Sequence, residues 1–72
     1  MRVSDLHKRI VGLIAEAKTE RDMLDVDLAE SLQMSTSTLR NMKSTRTLFS
    51  LDFWRVVKIA ELAGYDVKFE RR

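Results

Sequence analysis

Residues 28–42 read LAESLQMSTSTLRNM, and the spacing of their apolar side chains determines the fold that we expect. These side chains are Leu28, Ala29, Leu32, Met34, Leu39 and Met42. The first three form the inward face of one short helix, in which the alanine is small enough to let a second helix cross closely. Met34 fills the turn between the helices, and Leu39 and Met42 share one face of the second helix. The stretch predicts a helix-turn-helix unit over residues 25–44 whose second helix is polar around most of its circumference.

Both helices of this unit have start signals. Ser35 is the expected N-cap of the second helix, because a serine hydroxyl accepts a hydrogen bond from an unpaired N–H of the first turn. The first helix is expected to start near Leu24 or Asp25, where the carboxylates of Asp22, Asp25 and Asp27 suit the positive end of the helix dipole. A calcium loop would also need a glycine and a distal glutamate, which this stretch lacks. Helix-start carboxylates are therefore the better interpretation.

Further helices are expected on both sides of the unit. A first helix, capped by Ser4 or Asp5, ends near residue 20 or 21. Its apolar stripe consists of Leu6, Ile10, Leu13, Ile14 and Ala17. A closing helix over residues 51–63 is capped by Ser50, and Gly64 ends it in the left-handed conformation. Its main apolar face consists of Phe53, Val56, Val57 and Ala60.

The C-terminal part of the chain has a different periodicity. From Tyr65 to Glu70, apolar and polar residues alternate strictly, which predicts a β-strand at residues 65–70. Because a lone strand is not stable, its partner would be Val3 or the same strand of a second copy. The predicted fold is a single all-α domain over residues 1–72 with four helices and a short C-terminal β-strand.

Composition excludes several classes of protein. With 72 residues, one subunit is too small to enclose a large substrate pocket. The chain has no cysteine, which excludes disulfides and thiolate metal sites, and its one histidine, His7, is expected to be an exposed helix residue. We find no nucleophile–base pair, metal cluster or phosphate loop, and predict no catalytic residues, metal ligands or cofactors. No signal peptide or membrane-length apolar run is recognisable, so a cytoplasmic protein that does not bind membranes is expected.

Charge is unevenly distributed along the chain. The formal net charge of +2 combines a net charge of −4 over residues 16–30 with +3 over residues 31–51, which contain no acidic residue. Eight of the eleven serine and threonine residues lie between Ser35 and Ser50. Hydroxyl groups and cations are the groups that contact phosphates and base edges in nucleic acid. A solvated helix followed by a polar loop, without any contact to nucleic acid, would show the same pattern and is an equally compatible interpretation.

Residues 23–64 resemble the Cro/repressor-like helix-turn-helix family, also called the XRE family. The resemblance is carried by residues 28–42 and by Ser50-Leu51 followed by VKIAELAGY at residues 57–65. It implies a lambda-repressor-like four-helix bundle that binds double-stranded DNA in the major groove. The implied function is that of a small dimeric transcriptional regulator, most often a repressor of phage or antitoxin type. An antitoxin would also bind a cognate toxin.

The resemblance also implies which residues contact DNA. In the family, the start of the second, or recognition, helix and its next turn reach base edges, and the matching positions are Thr36, Ser37, Arg40 and Asn41. Arg40 would pair with guanine and Asn41 with adenine. Phosphate contacts are expected from Ser35, Lys43 and Arg46. The alternatives are helix capping for Thr36 and Ser37, a phosphate contact for Arg40, and simple solvation for Lys43 and Arg46.

Four positions depart from the family pattern. Gln33 stands where the family usually has a glycine with positive φ, which implies some backbone strain. Thr45 and Phe49 replace the usual glycine and proline of the loop after the recognition helix. Asp25 stands where the family often has a phosphate-contacting glutamine, and that role is not transferred to it.

The closing helix has more apolar surface than one small core needs, which predicts a homodimer. A two-fold dimer would place two recognition helices ~34 Å apart on a palindromic operator. Expected interface residues are Trp54, Tyr65, Val67 and Phe69. Base stacking by Trp54 is the less favoured role. The loop residues Leu48 and Phe49 are expected to be buried against the closing helix, or else to lie in the interface.

The alternative function is a protein-interaction module on a helix-turn-helix scaffold, without specific DNA binding. Such a module would show little dependence of binding on salt concentration.

Overall fold

The computed structural model describes residues 2–71, and in that range the chain forms α-helices and one short 3₁₀ turn but no β-strand. The four helices are α1 (Val3–Arg21), α2 (Asp25–Ser31), α3 (Thr36–Ser44) and α4 (Phe53–Leu62), and the 3₁₀ turn is Leu48–Ser50. α1 packs against α4 and the 3₁₀ turn, and α2 packs against α3. The predicted all-helical bundle is confirmed at this level.

The core is one cluster to which all four helices and the 3₁₀ turn contribute. Its fully buried members are Ile10, Ile14, Leu28, Ala29, Leu32, Leu39, Leu48 and Ile59. Met34, in the turn between α2 and α3, packs against this cluster together with Met42, as their spacing predicts. The α2–α3 unit is therefore joined to the rest of the bundle by its apolar side chains.

Two predicted helix starts are wrong by two or three residues. α1 begins at Val3 with Arg2 at its N-cap position, so neither Ser4 nor Asp5 caps it. The carbonyl oxygen of Arg2 accepts hydrogen bonds from the backbone N–H groups of the first turn. Asp5 lies inside the first turn, where its carboxylate still suits the helix dipole. α4 begins at Phe53 after Asp52 because Ser50 belongs to the 3₁₀ turn, where its hydroxyl donates to the carbonyl oxygen of Thr47 at 2.7 Å.

The inward face of α4 also differs from the prediction. Ile59 is its only fully buried residue, whereas Phe53 is 65% exposed. Val56 and Leu62 pack against the core at the spacing of the same face. Arg55 lies beside this face and joins α4 to the end of α2: its Nε donates to the carbonyl oxygen of Leu32 at 2.7 Å, and its Nη2 donates to that of Gln33 at 3.3 Å. The sequence analysis missed this arginine because its acceptors are backbone atoms.

His7 is buried, contrary to the prediction. It is 4% exposed beneath the 3₁₀ turn, and its Nδ1 accepts a hydrogen bond from the backbone N–H of Leu48 at 3.3 Å. A buried N–H at the start of a turn has no partner within the helix, so a side-chain acceptor is needed there. Leu48 itself is fully buried, but its turn packs mainly against α1 rather than against the closing helix as expected, and Phe49 remains 37% exposed.

The predicted strand at residues 65–70 is not formed. Val3, one of the two proposed partners, belongs to α1 and is unavailable for strand pairing. Gly64 has a φ of 96°, as predicted for the residue after the closing helix. The segment then runs back past the start of α4, where the rings of Phe69 and Phe53 lie 5.5 Å apart between centroids. Packing against α4 therefore replaces strand pairing in the single chain.

Gln33 has a φ of 55°, the left-handed conformation that was expected at this position. Replacing Gln33 by glycine should raise the free energy of unfolding by about 0.5–1 kcal/mol. Relief of ~1–2 kcal/mol of steric strain outweighs the extra entropy of glycine in the unfolded chain. Urea unfolding followed by circular dichroism measures the change. Glu30→Gly, inside α2, is the matched control and should instead lose about 1 kcal/mol. Equal destabilisation by both substitutions would contradict the strain at Gln33.

Candidate nucleic-acid interface

The start of α3 is fixed by Ser35. The backbone N–H of Thr38 donates to the Ser35 hydroxyl oxygen at 3.0 Å, and the two hydroxyl oxygens lie 2.7 Å apart. Ser35 is therefore the N-cap that the sequence predicts. The Ser35 hydroxyl already forms hydrogen bonds with Thr38, so a phosphate contact would have to use the same hydroxyl in addition to these bonds.

The outer face of α3 carries most of the residues expected at base edges. Ser37, Arg40 and Asn41 are exposed, and because Arg40 and Asn41 lie three and four positions after Ser37, the three share one side of the helix. Thr36 is half-buried at the edge of that side. Leu39 is the only fully buried residue of α3. The structure thus brings together three of the four predicted base-contacting residues on a solvent-facing surface.

The polar end of α3 continues into the next loop. The hydroxyls of Ser44 and Thr45 both donate to the carbonyl oxygen of Asn41, at 3.0 and 2.8 Å. Arg46 follows in the left-handed conformation with a φ of 60° and is exposed. Arg46 lies two positions after the last residue of α3 and therefore borders the C-terminal end of the α3 surface.

Asp25 makes contacts with the α3 surface that the sequence does not predict. It is the first residue of α2, and its carboxylate contacts cations from two other helices: Lys18 of α1 at 2.7 Å, Arg40 of α3 at 3.4 Å and Lys43 of α3 at 3.8 Å. Its side chain is 18% exposed, whereas that of Arg40 is 66% exposed. Residues 31–51 contain no acidic residue, but in the folded chain the carboxylate of Asp25 lies against two of their three cations, Arg40 and Lys43.

The electrostatics of Asp25 follow from these contacts. The hydrogen bond from Lys18 lowers the pKa of Asp25 below its ordinary value of 3.8, and the charge of Lys43 and the hydrogen bond from Arg40 act in the same direction. Partial desolvation opposes them. Helix-start placement was expected for this residue, but three cationic partners from separate parts of the chain were not. Asp25 and Arg40 are 15 positions apart, so no local sequence pattern indicates their contact.

A second polar feature lies between α1 and α4. Lys8, Arg9 and Glu16 of α1 line an open cleft of about 470 Å³, which Tyr65 closes at one side. The neighbouring carboxylate of Glu16 raises the pKa of the Tyr65 hydroxyl. These residues lie on α1 and in the segment after α4, and they are not part of the surface described above.

The residues predicted for a dimer interface lie on α4 and the C-terminal segment. Trp54 is 43% exposed, and the guanidinium of Arg55 lies 4.6 Å from its ring centroid. Tyr65 and Phe69 are exposed, and Val67 is half-buried. Phe69 contacts Phe53 of α4, and this pair of exposed rings, Phe53 and Phe69, is called the aromatic patch below.

No protein-family model, curated protein or solved structure matches this chain. Within residues 2–71, no three histidine, aspartate or glutamate side chains are grouped so that they could hold a metal ion. In the same range, no helix is both long enough and apolar enough to cross a bilayer.

The ion contacts of Asp25 predict a pH dependence of stability. Because its pKa is lower in the folded chain than in the unfolded chain, Asp25 stabilises the fold above about pH 5, and this contribution is lost as the pH falls through 3.8 and below. Asp25→Asn should lower the free energy of unfolding by about 1 kcal/mol at pH 7, and the difference from the unsubstituted chain should shrink in acid. Urea unfolding at a series of pH values measures it.

Asp66→Asn is the matched control, because the Asp66–Lys68 pair is exposed on both sides and should contribute almost nothing. A difference for Asp25→Asn that stays constant down to pH 2 would rule out the titration of this carboxylate as the cause.

Proposed function

We propose that the chain is a sequence-specific double-stranded DNA-binding protein, and that α2 and α3 act as a lambda-repressor-like helix-turn-helix with α3 as the recognition helix. The observation that carries this proposal is the surface of α3. Leu39 and Met42 anchor the helix in the core along a narrow stripe, and Ser37, Arg40 and Asn41 are left exposed. These are side chains that hydrogen-bond to base edges.

The dimensions of α3 support this proposal. A helix of nine residues is ~13.5 Å long and ~10–12 Å across, which suits a major groove ~12 Å wide. Lys43 and Arg46 supply positive charge beside α3, where the sugar–phosphate backbone would flank an inserted helix.

The proposed biological role is a cytoplasmic transcriptional regulator that represses by occupying an operator, as a phage-type repressor or as an antitoxin with a cognate toxin. Occupancy of an operator is sufficient for repression, and it requires only affinity and specificity.

The aromatic patch favours a homodimer as the DNA-binding form. Phe53 and Phe69 are 65% and 76% exposed, which is costly for side chains of this size in a monomer. Two copies joined through this patch would present two recognition helices to a palindromic site. The same patch supports the second candidate function, a module that binds another protein through these aromatic residues and does not bind specific DNA.

Selection of bound sequences from random duplexes, followed by titration at two salt concentrations, separates the two functions. DNA binding predicts an enriched palindromic site and an affinity that falls steeply between about 50 and 200 mM salt. If no site is enriched and binding is insensitive to salt, the protein-interaction module becomes the better proposal.

Two substitutions on α3 should have different effects on DNA binding. Arg40→Ala should remove discrimination at one base position, at a cost of ~1–3 kcal/mol for the selected site. Lys43→Ala should weaken binding to all sequences about equally and reduce the salt dependence by about one phosphate contact. Fluorescence anisotropy with selected and scrambled duplexes measures both. Identical losses for the two variants on both duplexes would contradict the assigned roles.

The aromatic patch predicts the oligomeric state. Phe69→Ser and Phe53→Ser should each raise the dimer dissociation constant by about tenfold or more, because each removes an aromatic side chain from both halves of a two-fold interface. Sedimentation equilibrium measures the change. Val26→Ser is the control, because Val26 is an exposed apolar residue of α2, outside the patch. An unsubstituted chain that stays monomeric at about 100 μM would refute the dimer.

A further inference from the structure

The carboxylate of Asp25 divides its two oxygens between different partners. Oδ1 accepts from Lys18 at 2.7 Å and lies 3.8 Å from the Nζ of Lys43. Oδ2 lies 3.4 Å from the Nε of Arg40. One oxygen is thus held by lysines of α1 and α3, and the other contacts the arginine.

Contact through Nε leaves a defined part of the Arg40 guanidinium for other partners. Arginine has five N–H donors, one on Nε and two on each terminal nitrogen. With Nε engaged by Asp25, a side-on pair of hydrogen bonds that uses Nε and one terminal nitrogen is no longer open to a phosphate. The two terminal nitrogens remain, on a side chain that is 66% exposed, and they can form an end-on pair of hydrogen bonds.

Guanine is the base that matches this end-on geometry. Its O6 and N7 are adjacent acceptors in the major groove, and a bidentate contact to both is the usual way in which arginine recognises a base. A free arginine samples many rotamers, so a fixed Nε reduces the entropy lost when the pair forms. The lysine contact on the other oxygen keeps the carboxylate in place while the arginine binds.

The same carboxylate opposes general attraction to DNA. It places a negative charge beside Arg40 and Lys43, two of the three cations between residues 31 and 51. Any phosphate close to those cations is also close to Asp25. The contact therefore favours recognition by geometry at the expense of affinity for DNA of any sequence.

We propose that Asp25 is a positioning residue that holds Arg40 through Nε so that its two terminal nitrogens read a guanine, and that it reduces affinity for nonspecific DNA at the same time. This inference rests on the proposed DNA-binding function. It assigns Arg40 to a base rather than to a phosphate. It also predicts that Asp25 strengthens discrimination at guanine and weakens binding to nonspecific DNA.

The experiment uses the full chain and the duplex obtained by selection from random DNA. Each guanine of that duplex is replaced in turn by 7-deazaguanine, which lacks the N7 acceptor, and a scrambled duplex measures nonspecific binding. The unsubstituted chain should lose about fivefold or more in affinity at one guanine per half-site, and Arg40→Ala should abolish that loss.

Asp25→Ala removes both the charge and the acceptor. It should bind the scrambled duplex about threefold more tightly at low salt. The affinity that this variant loses when the recognised guanine is replaced by 7-deazaguanine should shrink to about twofold or less. Asp25→Asn removes the charge but keeps an amide oxygen, so it should gain the same nonspecific affinity and retain more of the discrimination.

Asp22→Asn is the matched control. Asp22 is an exposed carboxylate three positions before Asp25, and asparagine also tolerates its left-handed φ of 52°. This variant loses one negative charge and should leave the discrimination at guanine unchanged. Circular dichroism and thermal unfolding confirm that each variant is folded at the assay temperature.

The outcomes separate this inference from the function on which it rests. If the unsubstituted chain enriches no site, the proposed function fails and the role of Asp25 fails with it. If a site is enriched but Asp25→Ala keeps full discrimination at guanine, the positioning role alone is wrong. Weaker binding of Asp25→Ala to both duplexes, with unchanged discrimination, would show that Asp25 only stabilises the fold.

Discussion

The position of α3 depends on the burial of Leu39. This leucine is the one residue of the helix that is fully buried, and it lies in the cluster that includes Leu28, Leu32 and Ile59. Burial of a leucine contributes about 1.5–3 kcal/mol, a large part of what a domain of this size has available. Because α3 is anchored only along the narrow stripe of Leu39 and Met42, the remaining surface of the helix is available to solvent or a partner, and its orientation needs further contacts at both ends of the α2–α3 unit.

Two charged side chains supply these contacts at opposite ends of α2. Asp25 at the start of α2 joins α1 and α3, and Arg55 of α4 donates to the carbonyl groups of Leu32 and Gln33 after its end. Partly exposed ion pairs and hydrogen bonds of this kind contribute modestly to stability, about 1 kcal/mol each. Their effect is directional, since hydrogen bonds require defined angles and apolar contacts do not. The core therefore provides most of the stability, and the charged groups orient the surface.

Local patterns in the sequence were sufficient for the helices of this unit and for its turn. Ser35 caps α3, and Gln33 adopts the positive φ expected at its position, because both effects depend on residues within a few positions along the chain. The burial of His7 and the ion contacts of Asp25 could not be predicted this way. The burial of His7 depends on a group 41 positions away, and the contact of Asp25 with Arg40 joins residues 15 positions apart. The strand at residues 65–70 was wrong for a related reason: alternation indicates a two-sided segment but does not supply a partner strand.

The contacts of Asp25 also change how the charge of this chain should be interpreted. Along the sequence, residues 31–51 carry three cations and no acid, which resembles a surface built for strong attraction to phosphate. In space, a carboxylate that is itself paired with Lys18 offsets part of that charge. A surface of this kind is poorly suited to tight binding of any duplex through charge alone. If it binds DNA, its affinity must come from specific hydrogen bonds and from the presence of two recognition helices, so operator specificity and dimerisation depend on one another.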